Sequence, residues 1–167
     1  AREIAQLVAA LEASGDADRE AAIARLTVIG TRAVDRLIDT LAGTGPISVR
    51  VAALRVLEAI GNVRALAPAM ELLRTADEQV ALAAVSLVAS HVTSRQAKAA
   101  NEALDGLTGL ALNTARPDSL RIAALDAFDT MPADIVSTIC ARLAGDPSPV
   151  VRQRALSPPP ARSAHYG

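Results

Sequence analysis

The sequence predicts an all-α protein, a right-handed α-solenoid of about four to five stacked helix pairs. The first observation is a repeated motif, in which an arginine is followed by small apolar residues. The motif recurs at intervals of 31, 31, 40 and 31 residues. The arginine of the motif is Arg19, Arg50, Arg121 or Arg152, and at the third of the five positions Ala81 replaces it. A unit of this length is one helix pair, which cannot bury its apolar face alone, so neighbouring units must stack.

Composition gives the second observation. Hydrophobic residues make up 51% of the 167 residues, whereas aromatic residues make up only 1%. A core of Ala, Leu, Val and Ile suits helices that approach each other closely, and several of these residues are good helix formers. The third observation is apolar spacing of three and four residues between glycine and proline breaks, which is typical of amphipathic helices.

The helices of the first half follow in order from this spacing and from their end signals. Gly30 and Gly61 each end the first helix of a unit, and the stretch 43–46 is a clear break. Pro68 is acceptable only because it falls in the first turn of its helix. The predicted helices are 2–13, 16–29, 32–42, 47–60 and 65–75.

The second half contains one irregular unit. The extra residues of the 40-residue interval fall near 94–114, which we predict as one longer helix. Gly106 and Gly109 lie inside it, so a kink or an early end is the alternative. The predicted helices are 77–90, 94–114, 118–130, 133–144 and 150–156.

We expect one array over residues 1–156 and a disordered tail over residues 157–167. The array is predicted to begin with a second helix and to end with a first helix, so that neither end is capped. We therefore expect either that the chain is a piece of a longer solenoid within a larger protein, or that its ends meet another domain or a second copy of the chain by self-association. The predicted units are 1–15 (half), 16–45, 46–76, 77–116, 117–146 and 147–156 (half).

Charge and cysteine content argue against several classes of protein. With 17 basic and 18 acidic residues, the net charge is −1, so no global field attracts nucleic acid. The single cysteine, Cys140, rules out an internal disulfide. No apolar run reaches the roughly 20 residues needed to cross a bilayer. We expect a cytoplasmic protein that binds neither membrane nor nucleic acid.

The repeat resembles the HEAT repeat, and its short period is similar to the HEAT-like repeats of the phycobilisome-lyase type. The stretch 145–152, Gly-Asp-Pro-Ser-Pro-Val-Val-Arg, carries this resemblance most closely. The resemblance covers about residues 1–156 and is weakest in the third unit. The signatures of ankyrin and tetratricopeptide repeats are absent.

The resemblance also implies a structural role for the repeated arginines. Arg50, Arg121 and Arg152, with the acids Asp118 and Asp146, are similar to the ladder that ties successive HEAT units together. A guanidinium group there can bind loop carbonyls and the acid of the next unit. We therefore expect these residues to stabilise the stack.

Two other residues deserve weighing as sites. Cys140 aligns with Ile38 and Met70, which favours a small core side chain over a nucleophile. His91 aligns with the ends of other first helices, where a protonated imidazole would favour the helix dipole. There is no Ser-His-Asp set, phosphate loop or metal-spaced cluster. We therefore expect no enzyme activity, no cofactor and no metal.

In HEAT-like arrays the second helices line the concave face, so their solvent-directed residues form the default surface for binding a protein partner. Here this candidate surface carries mixed charges and no aromatic anchor. Its residues are Arg36, Asp39, Glu71, Arg74, Lys98, Glu102, Asp105, Ser137 and Thr138.

These observations favour a non-catalytic protein-interaction scaffold. The first alternative, implied by the resemblance, is a lyase-like or chaperone-like subunit that acts on a chromophore-bearing protein. The lack of aromatic residues to flank a tetrapyrrole argues against it. The second alternative is a nucleic-acid-binding solenoid, which the charge balance argues against.

Overall fold

The computed structural model describes residues 1–13 and 15–157, and this part of the chain is built from ten α-helices. Three short 3₁₀ segments, Gly30–Ala33, Val63–Ala65 and Ala127–Thr130, accompany them. The helices are α1 (Arg2–Ala10), α2 (Asp16–Ile29), α3 (Val34–Ala42), α4 (Ile47–Ile60), α5 (Leu66–Thr75), α6 (Glu78–Ser90), α7 (Ala97–Leu112), α8 (Asp118–Asp126), α9 (Ala133–Leu143) and α10 (Pro149–Leu156).

The helices stack in two layers. The even-numbered first helices contact one another in chain order from α2 to α10, and the second helices α1, α3, α5 and α7 do the same. Between the layers, α1 packs on α2, α3 on α4, α5 on α6, α7 on α8 and α9 on α10. The predicted all-α solenoid is therefore confirmed. The division into units stays a prediction.

The core consists mainly of aliphatic side chains, and Phe128 joins it after α8. Ala53, Ala81 and Ala84 are fully buried where first helices meet, since alanine lets two backbones come close. Leu54 and Leu87, on the first helices α4 and α6, are also fully buried. One continuous core of this kind makes each unit depend on its neighbours for stability.

Two predicted stops have a clear backbone cause. Gly30 has φ of 68° and Gly61 has φ of 74°, a region that strongly favours glycine. A 3₁₀ segment then leads into α3 and α5, so both helices begin slightly later than the sequence predicts. No helix among the described residues is long and apolar enough to cross a membrane.

Helix α7 is continuous across Gly106 and Gly109. It has 16 residues, compared with 9, 10 and 11 in α3, α5 and α9. The prediction of one longer helix over 94–114 is confirmed, although the helix starts three residues later, at Ala97, and ends two residues earlier, at Leu112. The predicted tail lies outside the described residues from position 158 onward.

The repeated arginines bind carbonyl groups near the ends of second helices. Arg19 Nη2 donates to Ala13 O at 2.8 Å, and Arg50 Nη2 donates to Leu41 O at 3.4 Å. Farther along the array, Arg121 Nε donates to Ala111 O at 3.0 Å, and Arg152 Nη1 donates to Asp146 O at 2.5 Å. The predicted structural role of Arg50, Arg121 and Arg152 is confirmed, and Arg19 makes the same kind of bond.

Only one of the two predicted acids joins this ladder. Arg121 Nη1 donates to Asp146 Oδ1 at 2.9 Å, Nη2 binds Oδ2, and both side chains are almost fully buried. Asp118 is exposed and forms no ion pair with the described residues, so the prediction for Asp118 was wrong. Its position in the first turn of α8 directs the carboxylate to solvent.

Candidate functional site

A cleft of about 580 Å³ lies between α5 and α7 and is called here the α5/α7 cleft. This volume lies in the range of sites that bind small molecules or a partner's side chains. Second helices of two adjacent units form its walls. Its lining residues are Ala67, Met70, Glu71, Leu73, Arg74, Glu102, Asp105, Gly106, Gly109, Leu110 and Asn113.

Two glycines one helical turn apart give the cleft its depth. A Cβ atom at Gly106 would lie 3.2 Å from Met70 Cε, whereas a Cβ at Gly109 would meet nothing within 4 Å. The backbone φ values require glycine at neither position, because only Gly30 and Gly61 have positive φ among the described residues. Glycine inside a helix costs about 1 kcal/mol relative to alanine. What it supplies here is open space beside α5.

The rim of the cleft carries three carboxylates and one guanidinium group. Glu71 forms an ion pair with Arg74, and Glu102 Oε1 lies 3.8 Å from Lys98 Nζ. Asp105 is exposed and has no ion-pair partner among the described residues. The rim is therefore acidic, and the Asp105 carboxylate is free to bind a cation.

A second, shallower cleft of about 240 Å³ lies between α7 and α9. Asp105 lines this cleft as well, so its carboxylate marks the ridge that separates the two. Asp134, Thr138 and Arg142 supply polar groups on the α9 side. The long helix α7 is therefore the centre of the candidate surface.

The structure brings together only part of the predicted surface. Glu71, Arg74, Glu102 and Asp105 meet at the α5/α7 cleft, and Thr138 lines the second cleft. The others lie on second helices but outside both clefts: Arg36 and Asp39 on α3, Lys98 at the start of α7, and Ser137 on α9. Whether any of them contacts a partner stays a prediction.

Sequence reasoning missed the floor of the cleft. The alignment of second helices predicts a core position for Met70, and the two glycines of α7 indicate only a kink or an early end of the helix. The structure leaves Met70 partly exposed beside Gly106. The sequence does contain a signal for the cleft, namely two glycines three residues apart inside the predicted long helix. If such a helix is not broken, the missing side chains leave open space on that face of the helix.

Cys140 is partly buried and packs against the core. It lines a narrow crevice with Phe128, Val136 and Ile139. These apolar neighbours agree with its interpretation as a small core side chain.

His91 is 5% exposed at the end of α6, and burial lowers the pKa of its imidazole. Nε2 has no hydrogen-bond partner in the described part of the chain. The expectation that a protonated ring interacts with the helix dipole was therefore wrong, because burial favours the neutral ring. No group of three or more metal-binding side chains occurs among the described residues.

Comparison with known proteins shows similarity at the level of structure only. No protein-family model matches the sequence, and no curated protein matches it. A solved structure, the complex of CpcE and CpcF of phycocyanin lyase from Nostoc sp. PCC7120, contains a chain that matches 93% of this chain over 96% of its own length. The TM-score is 0.73 and the sequence identity is 23%. The two chains share one fold.

This likeness corrects two expectations. The prediction that the chain is not an enzyme is contradicted, because a chain of the same fold belongs to a lyase complex. Missing catalytic motifs in one chain are therefore no ground for excluding catalysis. The comparison also supports the lyase-like alternative better than the scaffold that the sequence favoured. Membership of the HEAT family, which the repeat resembles, is not shown by any family model.

Proposed function

We propose that this chain is a lyase-like or chaperone-like subunit that acts on a chromophore-bearing protein together with a second protein subunit. The observation that carries the proposal is the end-to-end likeness to a chain of the phycocyanin lyase complex. Solenoids vary freely in their number of repeats. A match that covers 93% of one chain and 96% of the other therefore reaches well beyond one shared helix pair.

The second-helix surface supports a role in binding a protein client. The two clefts on either side of α7 form a recessed surface along several units, with apolar floors and charged rims. Protein interfaces combine an apolar centre with a polar rim in the same way. Side chains of a client protein therefore have both apolar and polar groups to bind here.

The residues that line the clefts also bear on which subunit binds the client protein and which contacts the chromophore. Neither cleft on the second-helix surface contains an aromatic residue among its described lining, so neither offers a ring on which a tetrapyrrole could stack. We therefore assign client binding to this chain and contact with the chromophore to the assembled pair. The two-subunit composition of the similar complex supports this division.

Reconstitution tests the proposal. The chain is co-expressed with a second chain of the same fold encoded in the same genome, and the pair is mixed with chromophore-free phycocyanin and an open-chain tetrapyrrole. We expect the rate of covalent adduct formation or release, followed by absorbance and by fluorescence of the denatured adduct, to change only when both chains are present. Each chain alone is the control. The proposal would be contradicted if, with every second chain of the same fold that is tested, the rate of adduct formation or release equalled the rate without either chain.

A further inference from the structure

We propose that the α5/α7 cleft binds an apolar side chain of a protein segment flanked by lysine or arginine, and that the chromophore does not occupy it. The identity of the natural segment, part of a client or of a partner subunit, rests on the proposed function. The preference for a basic, apolar segment rests only on the shape and charge of the cleft.

The apolar floor favours aliphatic side chains, and a volume of about 580 Å³ has room for more than one. The floor consists of Met70, Leu73, Leu110 and the backbone at Gly106 and Gly109. The space beside Gly109 is open for at least 4 Å from an ideal Cβ position. A leucine or methionine entering there would replace water by contact with apolar groups, at about 25 cal/mol for each Å² buried.

Charge selects the flanking residues. Arg74 is engaged by Glu71, and Lys98 lies outside the cleft lining and pairs with Glu102. The Asp105 carboxylate has no ion-pair partner among the described residues, so the rim attracts cations and repels carboxylates. A ligand that carries carboxylates, as an open-chain tetrapyrrole does, is disfavoured. Lysine or arginine beside the inserted side chain is favoured.

The position of Asp105 extends the argument to a segment longer than one residue. Its side chain lines both the α5/α7 cleft and the cleft on the α9 side of α7. A segment that crosses α7 would place a basic side chain on Asp105 while its apolar side chains enter the recesses on either side. This arrangement matches an amphipathic segment bound in a groove.

Fluorescence polarisation with synthetic peptides tests the proposal. The probe is a labelled amphipathic peptide made of leucine and lysine, and the matched probe replaces every lysine by glutamate. We expect the Leu/Lys peptide to bind and the Leu/Glu peptide to bind at least about tenfold more weakly, a difference of about 1.4 kcal/mol. Binding should weaken further as salt is raised, because exposed charges are screened.

Three variants locate the binding. Gly109→Leu fills the cleft without a backbone clash, and it should lower affinity about tenfold with an unchanged circular dichroism spectrum. Glu102→Lys/Asp105→Lys should lower it by a similar factor. The control, Glu12→Lys/Asp18→Lys, makes the same change in net charge at exposed positions near the α1–α2 turn and should bind as the unaltered chain does.

The outcomes separate this inference from the proposed function. Equal binding of the Leu/Glu peptide, or equal loss in the control pair, would overturn the inference. The inference would also be overturned if an open-chain tetrapyrrole displaced the Leu/Lys peptide from the unaltered chain and failed to bind the Gly109→Leu variant. Selective peptide binding without any adduct chemistry would support the inference while the proposed function fails.

Discussion

Arg116 donates its Nε–H to the carbonyl oxygen of Leu73 at 3.1 Å, at the end of α5. Its Nη2 donates to Ala76 O at 2.8 Å. This is the place in the third unit where the repeated arginine is missing, because α6 has Ala81 at the position of Arg50 in α4. A residue of the α7–α8 connection thus supplies the bond between a guanidinium group and a helix end. The ladder continues through the unit whose motif is broken.

Arg116→Met should therefore destabilise the array. Methionine keeps much of the apolar stem but leaves both carbonyls without these donors, and hydrogen bonds to a charged group contribute about 1.5–3 kcal/mol. We expect the free energy of unfolding in urea to fall by about that amount. Arg95→Met is the control, because Arg95 is exposed and makes no hydrogen bond with the described residues, and it should change stability by less than about 0.5 kcal/mol. Equal midpoints for the two variants would contradict the structural role of Arg116.

The buried pair of Arg121 and Asp146 should matter more than any surface pair. Asp146→Ala would leave a guanidinium group buried without its partner, which typically costs about 3–5 kcal/mol. Asp118→Asn is the control, since this carboxylate is exposed, and we expect less than about 1 kcal/mol from its interaction with the helix dipole. Urea denaturation followed by circular dichroism measures both. A loss in Asp146→Ala no larger than that of the control would show that the pair contributes little.

Asp146 also predicts sensitivity to acid. Its hydrogen bonds from Arg121 and from the Ser148 N–H hold the pKa of its carboxyl below the ordinary value. The unfolded chain therefore takes up a proton first as pH falls. The stabilisation is complete well above pH 4 and is lost as pH falls from about 4 towards the folded-state pKa. Asp146→Ala should be less stable at neutral pH and should show a shallower loss in this acid range.

The ladder shows what the sequence can and cannot predict. Spacing alone identified Arg50, Arg121 and Arg152, because each recurs at the same place in its own unit. Arg116 escaped detection because it acts on α5 from a connection two helices farther along the chain. A repeat alignment compares equivalent positions and cannot reveal a replacement that reaches in from elsewhere.

The candidate site divides in the same way. Helical spacing placed Glu71, Arg74 and Asp105 on the solvent side of their helices, and the structure gathers them at one cleft. The spacing of apolar residues could not show that α5 and α7 leave a recess between them. The recess depends on Gly106 and Gly109 facing the neighbouring helix. A helix interior that tolerates two glycines is held by its packing, which local propensity does not describe.

His91 predicts a second effect of pH, near neutrality. Burial lowers the pKa of its imidazole, so between about pH 6.5 and the folded-state value the unfolded chain binds the proton and the folded chain does not. Stability is full above about pH 6.5 and falls as pH decreases, by up to about 1.4 kcal/mol per pH unit. His91→Leu should remove this dependence between pH 6.5 and pH 5. Urea midpoints measured across that range provide the test, and a slope that survives in the variant would assign the effect to other groups.

Self-association is expected to involve α10. Val150 is 51% exposed and Leu156 is 72% exposed, whereas Val151 between them is fully buried. A charged residue at position 151 would therefore disturb folding. Charged residues at the two exposed positions, 150 and 156, would instead affect association. We expect Val150→Glu/Leu156→Glu to lower the weight-average mass measured by light scattering at high protein concentration. Val28→Glu is the matched control, since Val28 is a 76% exposed valine on α2. If the unaltered chain has the mass of a monomer at every concentration, α10 does not mediate association of identical chains.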